Sequence, residues 1–363
     1  MSAAIDAPLN IAVAAIITFL TALAISRFTM RAKILPDNPN PRSSHDQVTS
    51  RAGGVGIFVA WVVGMIIFGG FSSAPALALL FAKFTGLTLI AFLVGLADDR
   101  WALSPLLKFL GQTIAALLFV WAFGPLQTIP VPLVGTVELG VATGTTVTVL
   151  WIVAFMNFFN FMDGVNGIAA GTAAIGLIAF SLIGAFAGAL DAAVMAILLS
   201  IACFGFLPAN LRKGRLFMGD SGSMAISFVI AGLGVYAANG SASQISPLVT
   251  PVIFLPFLFD VAWTLAHRLV RKQNILSAHR EHLYQLLVQQ GYSHAKVATL
   301  YIALTAVSAA AAILMLTMAP EAQWLVPAGL AIILVYPALR IFSSAAKAGM
   351  LAAPRTVAHQ AAE

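Results

Sequence analysis

The chain has 363 residues, of which 60% are hydrophobic and only 9% charged, against about 25% charged in an ordinary soluble domain. Its single cysteine, Cys203, allows no internal disulfide, and 19 Lys and Arg against 13 Asp and Glu give a net charge of +6. A soluble globular domain is excluded, and apolar runs near the ~18-residue threshold for a spanning helix recur along the whole length, which specifies an all-α polytopic integral membrane protein.

No basic residue precedes the first apolar run, and Arg27, Arg31 and Lys33 come at its end. The run therefore reads as an anchor with its N-terminus outside, not as a cleavable leader. Ten or eleven spans are expected, at 9–30, 53–71, 77–97, 106–124, 145–160, 166–187, 191–209, 222–239, 248–267, 297–318 and 324–342. Residues 1–345 form one multi-span domain, and 346–363 a short cytoplasmic tail. All Lys and Arg except Lys83 lie on the side of loops 31–52, 98–105, 210–221 and 268–296 and of the tail. The loops at 72–76, 125–144, 188–190, 240–247 and 319–323 contain none. The basic side is thus cytoplasmic, and its charge suits anionic lipid or phosphate, not nucleic acid.

Asp98, Asp99, Asp163 and Asp220 fall on that same side, each at a span end or a short turn, as if facing one pocket. Asp98-Asp99-Arg100 ends the third span. Two adjacent carboxylates there repel each other and oppose the helix dipole, a conflict that a divalent cation or a substrate proton relieves; a solvated helix end paired with Arg100 and Lys108 is the plainer reading. Asn157, Asn160 and Asp163, spaced by three, share a helix sector of about 120°, and Gly164 and Gly167 let the chain turn or a ligand approach. Asp220, Ser221 and Ser223 open the eighth span; they resemble an N-cap, and free N–H groups at a helix start also favour phosphate. Asn210, Arg212, Lys213 and Arg215 precede them. In the last basic loop, His279, Arg280 and His282 fit a phosphate clamp better than a metal site, and His282 to Gln290 reads as a short interfacial helix. Asp260 is expected to pair with Arg268 or Arg271.

Together these stretches resemble the polyprenyl-phosphate N-acetylhexosamine-1-phosphate transferases, five motifs in the family order over nearly the whole chain. Asp98-Asp99 looks like the family's Asp-Asp pair and Lys108 like its phosphate-contacting lysine. Asn157, Asn160 and Asp163-Gly164 match its N-x-x-N-x-x-D-G, Phe217 to Ser223 its F-M-G-D-x-G-S, and Arg280 with His282 its last, His-containing loop. Asn166 replaces the Asp common in bacterial members, and the last loop lacks the fuller His cluster, which argues against the peptidoglycan enzyme. Asp37-x-Pro-Asn-x-Arg-Ser-Ser-His45 looks most like the O-antigen-initiating branch.

The resemblance implies transfer of HexNAc-1-phosphate from UDP-N-acetylhexosamine to undecaprenyl phosphate, with release of UMP, at the bacterial inner membrane. It implies Mg²⁺, with Mn²⁺ as a substitute, and is compatible with a homodimer in the lipid bilayer. Asp220 and Asn160 would hold the metal. Asp98, Asp99 and Asp163 would be catalytic. Lys108, Asn157, Asn166, Asn210, His279, Arg280 and His282 would bind substrate, Asn166 through the base. The rival is a secondary transporter of an anionic solute, whose ionisable residues belong near mid-membrane on broken helices; here they cluster at span ends.

The charge bias predicts that a cysteine introduced at position 135 is labelled from outside in intact cells, and one at position 285 only after permeabilisation. The reverse pattern would place the acidic and basic motifs on the wrong side of the membrane.

Overall fold

The apolar runs fold as a bundle of long helices joined by short turns. The computed structural model describes residues 2–37, 48–71, 74–211, 215–240, 245–274 and 279–351, with side chains from Pro8 onward. The helices are α1 (Ser2–Ala32), α2 (Gly53–Phe71), α3 (Pro75–Trp101), α4 (Pro105–Phe123), α5 (Gly140–Phe161), α6 (Ile168–Phe186), α7 (Leu190–Asn210), α8 (Gly219–Ala238), α9 (Val249–Ile253), α10 (Leu255–Val270), α11 (Leu283–Gln289), α12 (His294–Leu314) and α13 (Leu325–Lys347). Local signals set the ends. Ser104 accepts from the Leu107 N–H with Pro105 following it, and Ser293 accepts from Lys296 N–H at the start of α12, both N-caps of the expected kind.

Ten helices among the described residues are long and apolar enough to cross a membrane. They fall on ten of the eleven expected spans. The remaining one, 248–267, is broken at Phe254 into α9 and α10. Pro256 has no N–H for the carbonyl four residues back, so the helix cannot run through it. The expected interfacial helix is α11, and most of the expected tail lies outside the described residues.

α8 is buried almost all round, α6 and α7 largely so, while α13 is mostly exposed. The outer surface carries large apolar side chains such as Leu117, Trp121, Ile332 and Ile333, as a lipid-facing wall does. Some hydroxyls inside the bundle bond their own helix backbone: Thr88 donates to Phe84 O and Thr148 to Gly144 O, both at 2.7 Å, a local partner for a polar group in an apolar setting. Indole N–H groups tie helices together, Trp61 to Met195 O at 3.0 Å and Trp151 to Ala231 O at 3.2 Å.

The two ends of the bundle differ. At the end carrying the loops without Lys or Arg, a hairpin of β3 (Thr128–Val131) and β4 (Gly135–Glu138) folds over the helices. Asn239 donates to Pro125 O at 2.8 Å and accepts from Gln127 N–H at 3.1 Å, and Trp324 Nε1 donates to Pro130 O at 2.7 Å. At the basic end, β1 (Pro36–Asp37) pairs with β2 (Thr49–Ser50), and Arg51 bonds Asp37 at 2.8 Å. The chain after β2 is stitched to the start of α8: Phe217 N donates to Ser50 O at 2.7 Å, Gly53 N to Phe217 O at 3.0 Å and Gly54 N to Met218 O at 2.7 Å. The 38–47 segment, with Arg42 and His45, lies outside the described residues.

Candidate active site

α3 and α8 meet with almost no side chain between them. A Cβ on Gly95 would collide with the Asp220 carbonyl, and one on Gly54 with the Gly222 backbone, so α2, α3 and α8 approach backbone to backbone. This closeness brings Asp99 onto the first turn of α8. Its Oδ1 accepts from Asp220 N–H and its Oδ2 from Ser221 N–H, both at 2.9 Å. The cap of α8 is therefore supplied by the neighbouring helix, and these N–H groups are not free for phosphate. Gly219, at φ +75° and against Asp99 and Arg51 O, turns the chain into that cap.

Asp98 points its charge elsewhere. Lys108 Nζ lies 2.8 Å from Asp98 Oδ2 and 2.6 Å from Asp220 Oδ2, one ammonium held by carboxylates of α3 and α8. The adjacent aspartates thus have separate tasks: Asp99 orders a backbone, and Asp98 joins a charged cluster with Lys108 and Asp220. Lys108, expected on phosphate, is paired with carboxylates here.

Asn160 stands beside that cluster. Its amide nitrogen donates to Ser223 Oγ at 2.8 Å, which leaves the amide oxygen as a ligand. Asn157 lies one turn deeper and faces Gln112: its Nδ2 donates to Gln112 Oε1 and to Val153 O, both at 2.7 Å. Sequence reasoning expected Asn157 on substrate and overlooked Gln112, whose signal is its place four residues after Lys108 on α4. The shared helix sector ends at Asn160, because α5 stops at Phe161 and Asp163 sits in the following turn.

In that turn no described residue donates a hydrogen bond to Asp163 or contacts the Asn166 side chain in this way. Burial, and then the Asp220 and Asp99 carboxylates, raise the Asp163 pKa well above the usual aspartate range. Asn210, expected on substrate, braces the backbone here: its oxygen accepts from Gly167 N–H at 2.6 Å and its nitrogen donates to Leu216 O at 2.9 Å. Arg212 and Lys213 lie outside the described residues.

The last basic loop rests on Asp260, which is fully buried. It does not pair with Arg268 or Arg271. Its Oδ1 accepts from Leu283 N–H at 2.8 Å, its Oδ2 from Tyr284 N–H at 3.1 Å, and Tyr301 donates a short bond to it. Arg268 instead bonds Glu281 at 2.7 Å, both buried. Asp260 thus caps α11 across helices as Asp99 caps α8, and neither role has a local sequence signature. His282 is buried with Nδ1 3.4 Å from Asp260. His279 lies against the His282 ring, and burial, His282 and Arg268 push its pKa down to about 4. It is neutral near pH 7 and adds no charge to a phosphate clamp, whereas the neighbouring Arg280 is exposed. Among the described residues no three acidic, His or Cys side chains form a preassembled metal-ligand set.

The raised Asp163 pKa fixes the sign of a pH effect. A carboxyl that titrates above the ordinary 3.8 binds more protons in the folded than in the unfolded chain, so stability falls as pH rises from 3.8 through the raised value. Thermal melts in detergent without divalent cation should show this decline in the wild type and a shallower one in Asp163→Asn. Equal slopes for both proteins would remove Asp163 as the source.

Residues 81–238 match the family model described as glycosyl transferase family 4, a span that holds four of the five motif stretches. The chain is 30% identical over 294 residues to a probable undecaprenyl-phosphate N-acetylglucosaminyl 1-phosphate transferase of Bacillus subtilis, covering 79% of each chain. It is 33% identical over 336 residues to a decaprenyl-phosphate N-acetylglucosaminephosphotransferase of Mycobacterium tuberculosis, covering 83% of this chain and 81% of that one. It is 28% identical over 273 residues to an undecaprenyl-phosphate alpha-N-acetylglucosaminyl 1-phosphate transferase of Thermotoga maritima, covering 75% and 79%. With the aspartates of α3, the α5–α6 turn and α8 gathered at the basic end of a membrane bundle, the chain belongs to glycosyl transferase family 4, within the polyprenyl-phosphate N-acetylhexosamine-1-phosphate transferase superfamily.

Proposed function

We propose that this chain transfers HexNAc-1-phosphate, from UDP-GlcNAc or a related 6-deoxy donor, to undecaprenyl phosphate at the cytoplasmic face of a bacterial inner membrane, and so initiates O-antigen or another cell-envelope polysaccharide. The observation that carries this reading is the cluster of Asp98, Asp220 and Lys108 closed beside Asn160 and Asp163 at the basic end of the bundle. An oxygen of the lipid phosphate attacks the sugar-side phosphorus. A new P–O–P bond forms, the old one breaks, and UMP leaves. Phosphoryl transfer of this kind depends mainly on positioning and charge neutralisation.

The donor set fits Mg²⁺, with Mn²⁺ as a substitute: Asp220 and the free oxygen of Asn160 are hard ligands, and Mg²⁺ typically takes one or two protein ligands and completes its shell with water and phosphate oxygens. This suits a site without a preassembled set of three. Bound there, the ion would neutralise the diphosphate. Asp98 orients the lipid phosphate and takes its proton, since both oxygens of Asp99 already serve the α8 backbone. Lys108, held at the cluster, and the exposed Arg280 hold phosphate oxygens. Asn166, without a hydrogen bond to described residues, accepts from the uracil N3–H and donates to a uracil carbonyl.

Purified protein with undecaprenyl phosphate, Mg²⁺ and a panel of UDP-sugars should release UMP with at least one HexNAc donor; release with none overturns the reading. Asp220→Asn should insert normally and lower UMP release by about 100-fold or more, on the scale of losing a charge-stabilising group. Near wild-type turnover would remove Asp220 from the metal site. Asn166→Ala should raise the KM for the UDP-sugar at a cost of about 1–3 kcal/mol for an unpaired buried partner, with little change for the lipid. A change confined to lipid affinity, or equal use of CDP-sugars by the wild type, would show that Asn166 does not read the base.

A further inference from the structure

The turn between α5 and α6 is pinned at both ends by side chains from distant helices. At its start, Tyr284 Oη donates to Phe161 O at 2.9 Å and accepts from Gln285 Nε2 at 3.1 Å. The same hydroxyl lies against Gly164, where a Cβ would collide with it. At its end, Asn210 accepts from Gly167 N–H at 2.6 Å, and Gly167 holds a φ of +84°. Asp163 and Asn166 lie between these anchors, with no hydrogen bond to their side chains from any described residue. The backbone is fixed and the two polar side chains are left for a ligand, as preorganised sites are built.

Tyr284 is itself firmly placed. It is 1% exposed, its N–H donates to Asp260, and its ring stacks on His282 and meets Tyr301 edge-on. Burial and then Asp260 raise its pKa, so the hydroxyl stays a donor at neutral pH. The ring alone would fill this space. The hydroxyl adds a bond to one carbonyl, that of the residue ending α5, where helix carbonyls lack partners of their own. It also dictates that residue 164 has no side chain.

We propose that Tyr284 is a positioning residue for the transfer reaction: its hydroxyl holds the Phe161–Gly164 backbone and so fixes where Asp163 meets the donor diphosphate. This rests on the transferase reading above. The last basic loop then acts on the reaction twice, by Arg280 on phosphate and by Tyr284 on the turn.

Tyr284→Phe keeps the ring and removes the bond. In the absence of substrate, deuterium exchange of the amides at 162–167 should quicken about 10-fold while α6 and α8 stay unchanged, as expected for local opening. UMP release should fall in kcat by about 10- to 100-fold, the scale of a small misplacement of a reacting group, with both KM values within about 3-fold and the melting temperature within about 4 °C of wild type. Gly164→Ala should lose activity, and adding Tyr284→Phe should restore part of it, because the next ring carbon would then lie 3.0 Å from the new methyl. Wild-type kcat and exchange in Tyr284→Phe overturn the proposal, as does a loss that appears only together with a lowered melting temperature. If the wild-type protein turns over no UDP-sugar, the donor reading fails, while the exchange measurement still decides whether Tyr284 holds the turn.

Discussion

The polar end of this bundle depends on one carboxylate that is bonded to backbone. Asp99 takes the Asp220 and Ser221 N–H groups in the first turn of α8, and by doing so fixes the position of Asp220 relative to Asp98 and Lys108. A helix start buried among neighbours cannot leave its N–H groups open, because each would cost about 1–3 kcal/mol. The glycines at 54, 95 and 222 make the solution feasible, since they let three helices touch by their backbones. Asp260 repeats the device on α11, which carries the last loop. Two cross-helix caps thus convert a packing arrangement into a set of fixed charges.

The spans were legible because hydropathy and the placement of Lys and Arg are one-dimensional signals. Motif spacing also expects Asp98, Lys108, Asn160, Asp163 and Asp220 on one side, and they lie together at the basic end. The division of labour among them was not legible. Nothing in the dipeptide Asp98-Asp99 says which carboxylate reaches backbone, because the answer lies on a helix more than a hundred residues later. Asn157 and Asn160 look equivalent by periodicity, yet one meets Gln112 and the other Ser223. Nothing in the sequence around Asn210 says that both ends of its amide reach backbone. The break at Phe254 was visible in principle in Pro251 and Pro256, but an apolar run of the right length concealed it.

Charge at the site is partly balanced by pairing. Lys108 is shared between Asp98 and Asp220, Arg268 and Glu281 offset each other, and His279 is neutral. What remains is an acidic turn around Asp163 and an exposed Arg280, opposite charges on two loops joined by the Tyr284 hydroxyl. Such an arrangement keeps the folded chain stable in a low-dielectric setting, where unpaired buried charge is costly, and leaves unsatisfied capacity where a charged head group would sit.

The far end of the bundle is built differently. There Asn239 and Trp324 bond the backbone of the strand hairpin and its approach, so the ends of α4, α5, α8 and α13 share a common rim. The bundle is thus fastened in two ways, at one end by backbone bonds to a strand hairpin and at the other by charges and cross-helix caps.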